Sequence, residues 1–432
     1  MVVRILLAIL LLSIVVLFHE WGHYLLAKAN HITVTEFSLG FGPRLISFEK
    51  NGTRYSWKAI PFGGSCAMLG EDEADEDTPG AFNWASPLAR ISVVAAGPVF
   101  NFILAFAMSM ILVGISGTRP ALVDEVTDGS PAMEAGLQPG DEIVRYEGNG
   151  IAGISELNFD VELDGIPTDE ISLTYVRDGK KHKISYAPST ENVYRFGFTY
   201  SEGSDGTLVI TLVSKGSAAR EAGMISGDEI LAVNGTEVSS IEDLQNYYEE
   251  NPLDGSPVTF RIRRNSKTFD MTITPEKKEV ASLGFTLATE KRTVGFPGII
   301  KAGIDETGYW IHVTWKSLGG LLTGAFSVQE MSGPVGIVNA VGSVYEQAKQ
   351  YGALEVFLEL LQFAILLSAN LGVMNLIPFP ALDGGRLVFL VIEAIRKKPV
   401  NRKIEGAVNF VGFAALMCLM VFVCVNDVLK LF

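Results

Sequence analysis

Cysteine and positive charge are both scarce in this chain. Its 432 residues hold only three cysteines, Cys66, Cys418 and Cys424. They are too few and too scattered for a disulfide framework. Two fall in the last apolar stretch, where a buried structural thiol is the expected role. Lysine and arginine number 34 against 49 acids, a formal charge of −15. With no basic face to offset phosphate repulsion, nucleic acid is excluded as a partner. Histidine is rare, with five in all, and charge of either sign is absent from residues 91–118, 360–382 and 406–426. Each of these stretches is long enough to cross about 30 Å of hydrocarbon as a helix.

A fourth apolar run, Ile5 to Phe18, continues through two histidines to Lys28. Arg4 before an apolar run also suits a secretory signal, but no small-residue cleavage site follows it, so a retained anchor is the reading. Four membrane helices are therefore expected. Lysine and arginine collect in the connections 28–90 and 386–405 and nearly vanish from the termini. That asymmetry puts both connections in the cytoplasm and the region from about 119 to 300 outside.

The outside region repeats itself. "SPAMEAGLQPGDEI" (130–143) matches "SAAREAGMISGDEI" (217–230) at nine of fourteen positions, 87 residues apart, and the same offset links Phe196-Gly197-Phe198 to Leu283-Gly284-Phe285. Alternating strand patterns fill the space between, and Ser240 is placed to cap a helix to Glu250. These segments resemble PDZ domains in the permuted bacterial order, with the Gly-Phe strand last, which implies two small modules at 119–200 and 201–288. Modules of this type bind extended peptides at a sheet edge; a spacer with no ligand is the alternative. Further on, Ile311, Trp315, Leu318, Leu322 and Phe326 share one face of a glycine-rich, partly polar segment, which predicts an interfacial amphipathic helix rather than a fifth span.

The segment His19-Glu20-Trp21-Gly22-His23 sits inside the first apolar run. Ionisable groups at bilayer depth are costly and mark function. On a helix, positions i and i+4 share a face, so both imidazoles can reach one metal ion, with Glu20 beside them as a proton acceptor. A metal-free polar packing cluster is the competing explanation. His31, His182 and His312 lack such spacing and are expected to be ordinary loop or surface residues. A catalytic zinc takes three protein ligands and keeps one position open. Near the third span the one acid in "NLGVMNLIPFPALDGGR" (370–386) is Asp383. Pro378 and Pro380 break the helix just ahead of it, freeing it to point inward. Alone, Asp383 would pass for a helix-end residue at the interface.

Taken together, H-E-x-x-H in the first span, "GPVFNF" (97–102) in the second, "MSGPVGI" (331–337) and N-x-x-P-x-P-x-L-D-G-G (375–385) resemble the site-2 protease family of intramembrane zinc metalloproteases, in its branch with two PDZ domains. The resemblance implies a polytopic α-helical membrane protein in a bacterial cell membrane, with its PDZ domains on the extracytoplasmic side. It implies Zn2+ held by His19, His23 and Asp383, with Glu20 as acid/base. Asn375, Pro378 and Pro380 would hold substrate backbone, and "PFGGSCAMLGE" (61–71) is similar to a membrane-associated β-loop whose Gly63 and Gly64 admit substrate as an added strand. A plain cytoplasmic hairpin is the alternative for that loop, and the acidic run Glu71–Asp77 reads as solvated. The organisation implied is 1–118 for spans one and two, the two PDZ modules, 289–356 for a linker with the amphipathic helix, and 357–432 for spans three and four. The substrates implied are transmembrane proteins already trimmed outside, such as anti-sigma factors, or signal-peptide remnants. A different class stays open at this level: an inactive membrane scaffold binding exported peptides through its PDZ modules. A zinc transporter does not fit, since only three ligands gather at one end of the spans.

Overall fold

The computed structural model describes residues 2–71, 78–202, 207–264, 266–323, 331–398 and 400–429. It divides into two compact units, Met1–Arg119 with Lys291–Phe432, and Pro120–Glu290. The first unit begins with α1 (Val2–Ala29), β1 (Val34–Lys50), β2 (Thr53–Met68) and α2 (Pro87–Ser116). The second contains β3 (Val123–Val126), α3 (Pro131–Glu134), β4 (Glu142–Tyr146), β5 (Asn149–Gly150), α4 (Ile154–Asp164), β6 (Ile171–Arg177) and β7 (Lys180–Tyr186). It goes on through β8 (Ser189–Arg195), β9 (Phe198–Glu202), β10 (Leu208–Val213), α5 (Ala218–Glu221), β11 (Glu229–Val233) and β12 (Thr236–Glu237). It closes with α6 (Ile241–Glu250), β13 (Val258–Arg264), β14 (Lys267–Ile273), β15 (Glu276–Ser282) and β16 (Phe285–Leu287). The first unit resumes with α7 (Phe296–Thr323), α8 (Pro334–Ala348), α9 (Ala353–Leu376), α10 (Asp383–Arg396) and α11 (Arg402–Leu429).

Among the described residues, four helices are long and apolar enough to cross a membrane: α1, α2, α9 and α11. At one end of the bundle a cluster joins Ala27 of α1, Val93 and Val94 of α2, Cys66 and Met68 of β2 and Leu390 of α10. At the other end Ala8 of α1 meets Val341 of α8 and Leu360 of α9. The two connections rich in basic residues thus lie at the same end. The second of them is not a plain loop, because an amphipathic helix, α10, occupies most of 386–405 and buries Leu390.

Three other expectations change. Helix α7 is longer than the apolar stripe suggests and packs its small-residue side against α2 and α9. Gly303 lies against Met110, Thr307 is buried near Ser109, and Thr314 hydrogen-bonds Asn370. Its larger residues, Trp315 and Leu322, face outward, and the small residues permit close helix contact. Phe326, the last of the stripe, lies outside the described residues. Cys418 is exposed on α11 rather than buried. Glu71 is no solvated acid, for its carboxylate accepts from Arg386 on α10; residues 72–77 of that run are outside the described set.

Strands β1 and β2 fold back on themselves into one small sheet. Residues 36–39 face 54–57 on one side and, in reverse order, Ala67, Cys66, Ser65 and Gly64 on the other, while 54–57 also pair with 46–49. One edge is therefore the segment 64–67. Glu36 pins the middle, accepting from Arg44 and Ser56 with Lys58 close by. The Arg44 guanidinium is the main cause holding its carboxyl down to about 2. Burial pushes the Cys66 thiol well above its ordinary range, so it stays protonated.

In the second unit the repeat builds two cores, but the boundary at 200 does not follow them. One core runs from Ala121 to Tyr186 and takes Phe285 from the far end. The other runs from Phe196 to Ile273. Strand β16 pairs with β3, and β9 pairs with β10, while β8 and β15 pair with each other. The second module is thus inserted within the first, and only the first has its Gly-Phe strand last. Equivalent braces recur at the repeat offset. Arg177 grips Asp141 at 2.6 Å through both nitrogens, and Arg264 grips Asp228 at 2.6 and 2.7 Å. Gly197 and Gly284 turn with φ of 82° and 75° against Ser217 and Ser130, each serine donating to the glycine carbonyl at 3.2 Å.

This interleaving has a direct test. Phe285→Ala should destabilise the module of residues 121–186 by about 3–5 kcal/mol, the usual cost of a buried Phe→Ala change. Hydrogen exchange should then quicken in β3, β4 and β6 while β10, β11 and β13 keep their protection.

Candidate metal centre

One face of α1 carries His19 and His23, one turn apart, and both are buried. Their Nε2 atoms are 3.2 Å from each other. His23 Nδ1 donates to the Val93 carbonyl of α2 at 2.9 Å, which fixes its tautomer and leaves Nε2 free. His19 Nδ1 meets the side-chain amide of Asn101, also on α2, at 3.1 Å. This packing needs glycine twice. A Cβ on Gly97 would sit 2.4 Å from His23 Nε2 and 2.7 Å from His19 Cε1; one on Gly22 would sit 2.5 Å from the Ala96 carbonyl oxygen. The glycine of "GPVFNF" is therefore the floor on which both imidazoles rest.

Asp383 arrives from the other end of the chain. Helix α9 stops at Leu376, the chain runs irregularly through the two prolines, and Ala381 takes φ 72° before α10 opens at Asp383. The start of α10 suits an acid, since the helix dipole is positive there. The next two residues allow its first turn to press on the unwound stretch. A Cβ on Gly384 would meet the Ile377 carbonyl oxygen at 2.2 Å, and one on Gly385 the Phe379 carbonyl oxygen at 2.2 Å. Two ion pairs hold the helix down: Arg90 of α2 to Glu393 at 2.5 Å, and Glu71 to Arg386. The result is Asp383 Oδ2 at 3.2 Å from His19 Nε2 and 3.5 Å from His23 Nε2.

Three ligand atoms around one tetrahedral ion with bonds of about 2.05 Å should lie about 3.3 Å apart. The spacings of 3.2, 3.2 and 3.5 Å match that geometry. Asp383 Oδ2 is also buried with no hydrogen-bond partner, the condition of an oxygen that a cation would satisfy. Among the described residues this is the one group of three or more His, Cys, Asp or Glu side chains close enough to share an ion.

Glu20, half-buried on α1, turns toward the β-sheet. Its Cγ is 3.1 Å from the place where a Gly64 Cβ would stand, and the Cys66 backbone hydrogen-bonds its carboxylate. Edge residues 64–66 thus lie directly beside it. Gly63, with φ 85°, turns against the Phe41 ring. Asn375 is half-buried in the last turn of α9, Pro378 is exposed, and Pro380 packs against Gly412 of α11. No described contact ties Asn375 to the three converging side chains. His31 and His182 are exposed, His31 in a turn and His182 on β7; His312 is half-buried within α7. Asn101, Arg90, Glu393, Glu71 and Arg386 carry structural weight here that the sequence reading did not assign. For Asn101 the signal was available, since it is an amide inside a charge-free span.

A model of peptidase family M50 matches residues 7–419. The chain belongs to that family. Curated relatives match it end to end. Zinc metalloprotease RasP of Geobacillus kaustophilus is 34% identical over 98% of this chain and 97% of that protein. Regulator of sigma E protease of Haemophilus influenzae is 32% identical, and regulator of sigma-W protease RasP of Bacillus subtilis is 34% identical, each over 98% of both chains. This is a multi-pass membrane protein of the M50 class. A PDZ domain of HtrA3 also matches 21% of the chain at 21% identity, but its TM-score of 0.19 is too low to bear on the fold.

Gly97→Ala should push the two imidazoles apart and reduce divalent-metal content in purified protein at least tenfold, measured by elemental analysis beside the wild-type chain.

Proposed function

We propose that this chain is a zinc-dependent intramembrane endopeptidase that cleaves transmembrane segments of single-span proteins already shortened on the outer side. The observation that carries this reading is the meeting of His19 Nε2, His23 Nε2 and Asp383 Oδ2 within 3.5 Å of one another, beside Glu20. His19, His23 and Asp383 hold the zinc, which when bound polarises a carbonyl and makes water a stronger acid. Glu20 accepts the proton of the attacking water and returns it to the leaving nitrogen. Its place beside the sheet edge brings that proton transfer next to any strand laid along residues 64–67.

A helical substrate keeps its peptide bonds inside its own hydrogen-bond ladder, so it must unwind before attack. An extended segment added to the 64–67 edge would regain those bonds. Among the described residues no strand occupies the outer side of that edge. Gly63 and Gly64 allow close backbone approach, and Asn375, Pro378 and Pro380 hold the opposite side of the substrate near the ligands. The exposed apolar residues of the sheet, among them Phe41, Ile46, Phe48 and Trp57, suit contact with the cytoplasmic side of the bilayer.

The two interleaved modules of residues 120–290 act as PDZ domains on the extracytoplasmic side, where they take peptide ends or exclude substrates that are still long. The names of the relatives, regulators of sigma E and sigma-W, support anti-sigma factors as a substrate class. An inactive scaffold gains no support from a family of peptidases or from a ligand set this complete.

Glu20→Gln should keep about one zinc per chain while cleavage of a membrane-embedded test substrate falls 10²–10⁴-fold, the usual worth of a general acid/base. Asp383→Ala should instead lose most of the zinc itself, read by metal analysis. Normal turnover by the first variant, or full zinc in the second, would sink the respective assignment.

A further inference from the structure

Building on the zinc reading, we propose that Asn101 is the positioning residue for His19: with its amide turned so that the oxygen faces His19 Nδ1, it accepts the proton there and leaves Nε2 as the lone pair for the metal. A neutral imidazole carries one proton on one of its two nitrogens. For His23 a backbone carbonyl, which can only accept, settles which one. His19 is held differently. Its Nδ1 lies 3.1 Å from the Asn101 side-chain nitrogen, and a half-turn of that amide puts the oxygen there instead.

The two orientations of that amide have nearly the same shape and opposite consequences. With nitrogen toward His19, the amide donates to Nδ1 and drives the ring proton to Nε2. The nitrogen carrying that proton lies 3.2 Å from His23 Nε2 and 3.2 Å from Asp383 Oδ2, so the proton occupies the position a cation needs. With oxygen toward His19, Nδ1–H has its acceptor and three unprotonated ligand atoms converge. Among the described residues nothing else holds the amide the first way, since Asn101 Oδ1 is buried without a hydrogen-bond partner. The imidazole alone selects the orientation.

The residue is also costly as mere packing. Asn101 is 0% exposed in a charge-free span, and a buried amide with unused bonding capacity is destabilising. Leucine would fill the same space without that cost. The position itself is pinned, because the Asn101 carbonyl accepts from Ser368 of α9 at 2.8 Å. That contact fixes α2 against α9 at the level of the site, whatever side chain position 101 carries.

The test uses the purified full-length chain in detergent, with zinc retention measured against a graded chelator. Asn101→Leu should loosen zinc roughly 10–100-fold, as removal of outer partners of metal-bound histidines does. Asn101→Asp, whose side chain can only accept, should restore retention to within a few-fold of the starting chain. In the zinc-loaded wild type, 15N NMR of labelled histidine should find Nδ1 of His19 protonated. The proposal falls if the leucine variant holds zinc normally, if the aspartate variant loses it as the leucine variant does, or if Nδ1 carries no proton. A wild-type chain that binds no zinc would overturn the zinc reading instead, and that result is separate from the other three.

Discussion

A carboxylate withdrawn from water is destabilising by several kcal/mol unless opposite charge and hydrogen bonds meet it. Asp383 is in that position, with one oxygen buried and unpartnered between two imidazole nitrogens. Three acceptor atoms so close repel one another unless a proton or a cation stands among them. Much of the first unit follows from bringing them together. Gly22 and Gly97 let α1 and α2 touch, the prolines interrupt α9, and Gly384 and Gly385 let α10 begin against bare carbonyls. The ion pairs Arg90–Glu393 and Glu71–Arg386 then fix α10 from its far side.

Local chemistry made a good part of this readable. H-E-x-x-H declares its own geometry because helix periodicity sets which residues share a face, and charge-free runs declare spans because the bilayer penalises ions. Asp383 could be chosen because it was the one acid beside a helix-breaking pair of prolines. Asn101 stands out as an amide in a charge-free span, but its partner lies 82 positions away, and that of Glu71 lies 315 away. A single sequence does not name such partners. The apolar stripe of α7 marks its outward face, while its packed side is carried by small residues such as Gly303 and Thr307, whose role depends on partners on α2 that spacing does not name. The module boundary at 200 failed because a repeat records similarity of segments and is blind to which copy completes which core.

The β-sheet adds a second constraint on the same site. Its 64–67 edge is tied to α1 through Glu20 and to the interior through Cys66, while its opposite rank, 44–50, stands exposed. Rigidity is thus concentrated where the carboxylate of Glu20 is held, and Glu36 with its three polar neighbours locks the register between the two. A sheet braced in this way keeps Glu20 oriented without any residue of α2 having to reach it.

The insertion of one module of residues 120–290 inside the other sets an order of events at the ribosome. Residues 196–273 form a contiguous core and can close as soon as they emerge, whereas the core of 121–186 waits for Phe285. Its earlier-made half must stay open through the synthesis of the whole intervening module, with apolar side chains such as Leu157 and Leu173 uncovered meanwhile. The older part of residues 120–290 is thus the last to mature. A nascent chain stalled before residue 285 would display one finished module and one unfinished module, a natural handle for quality-control factors.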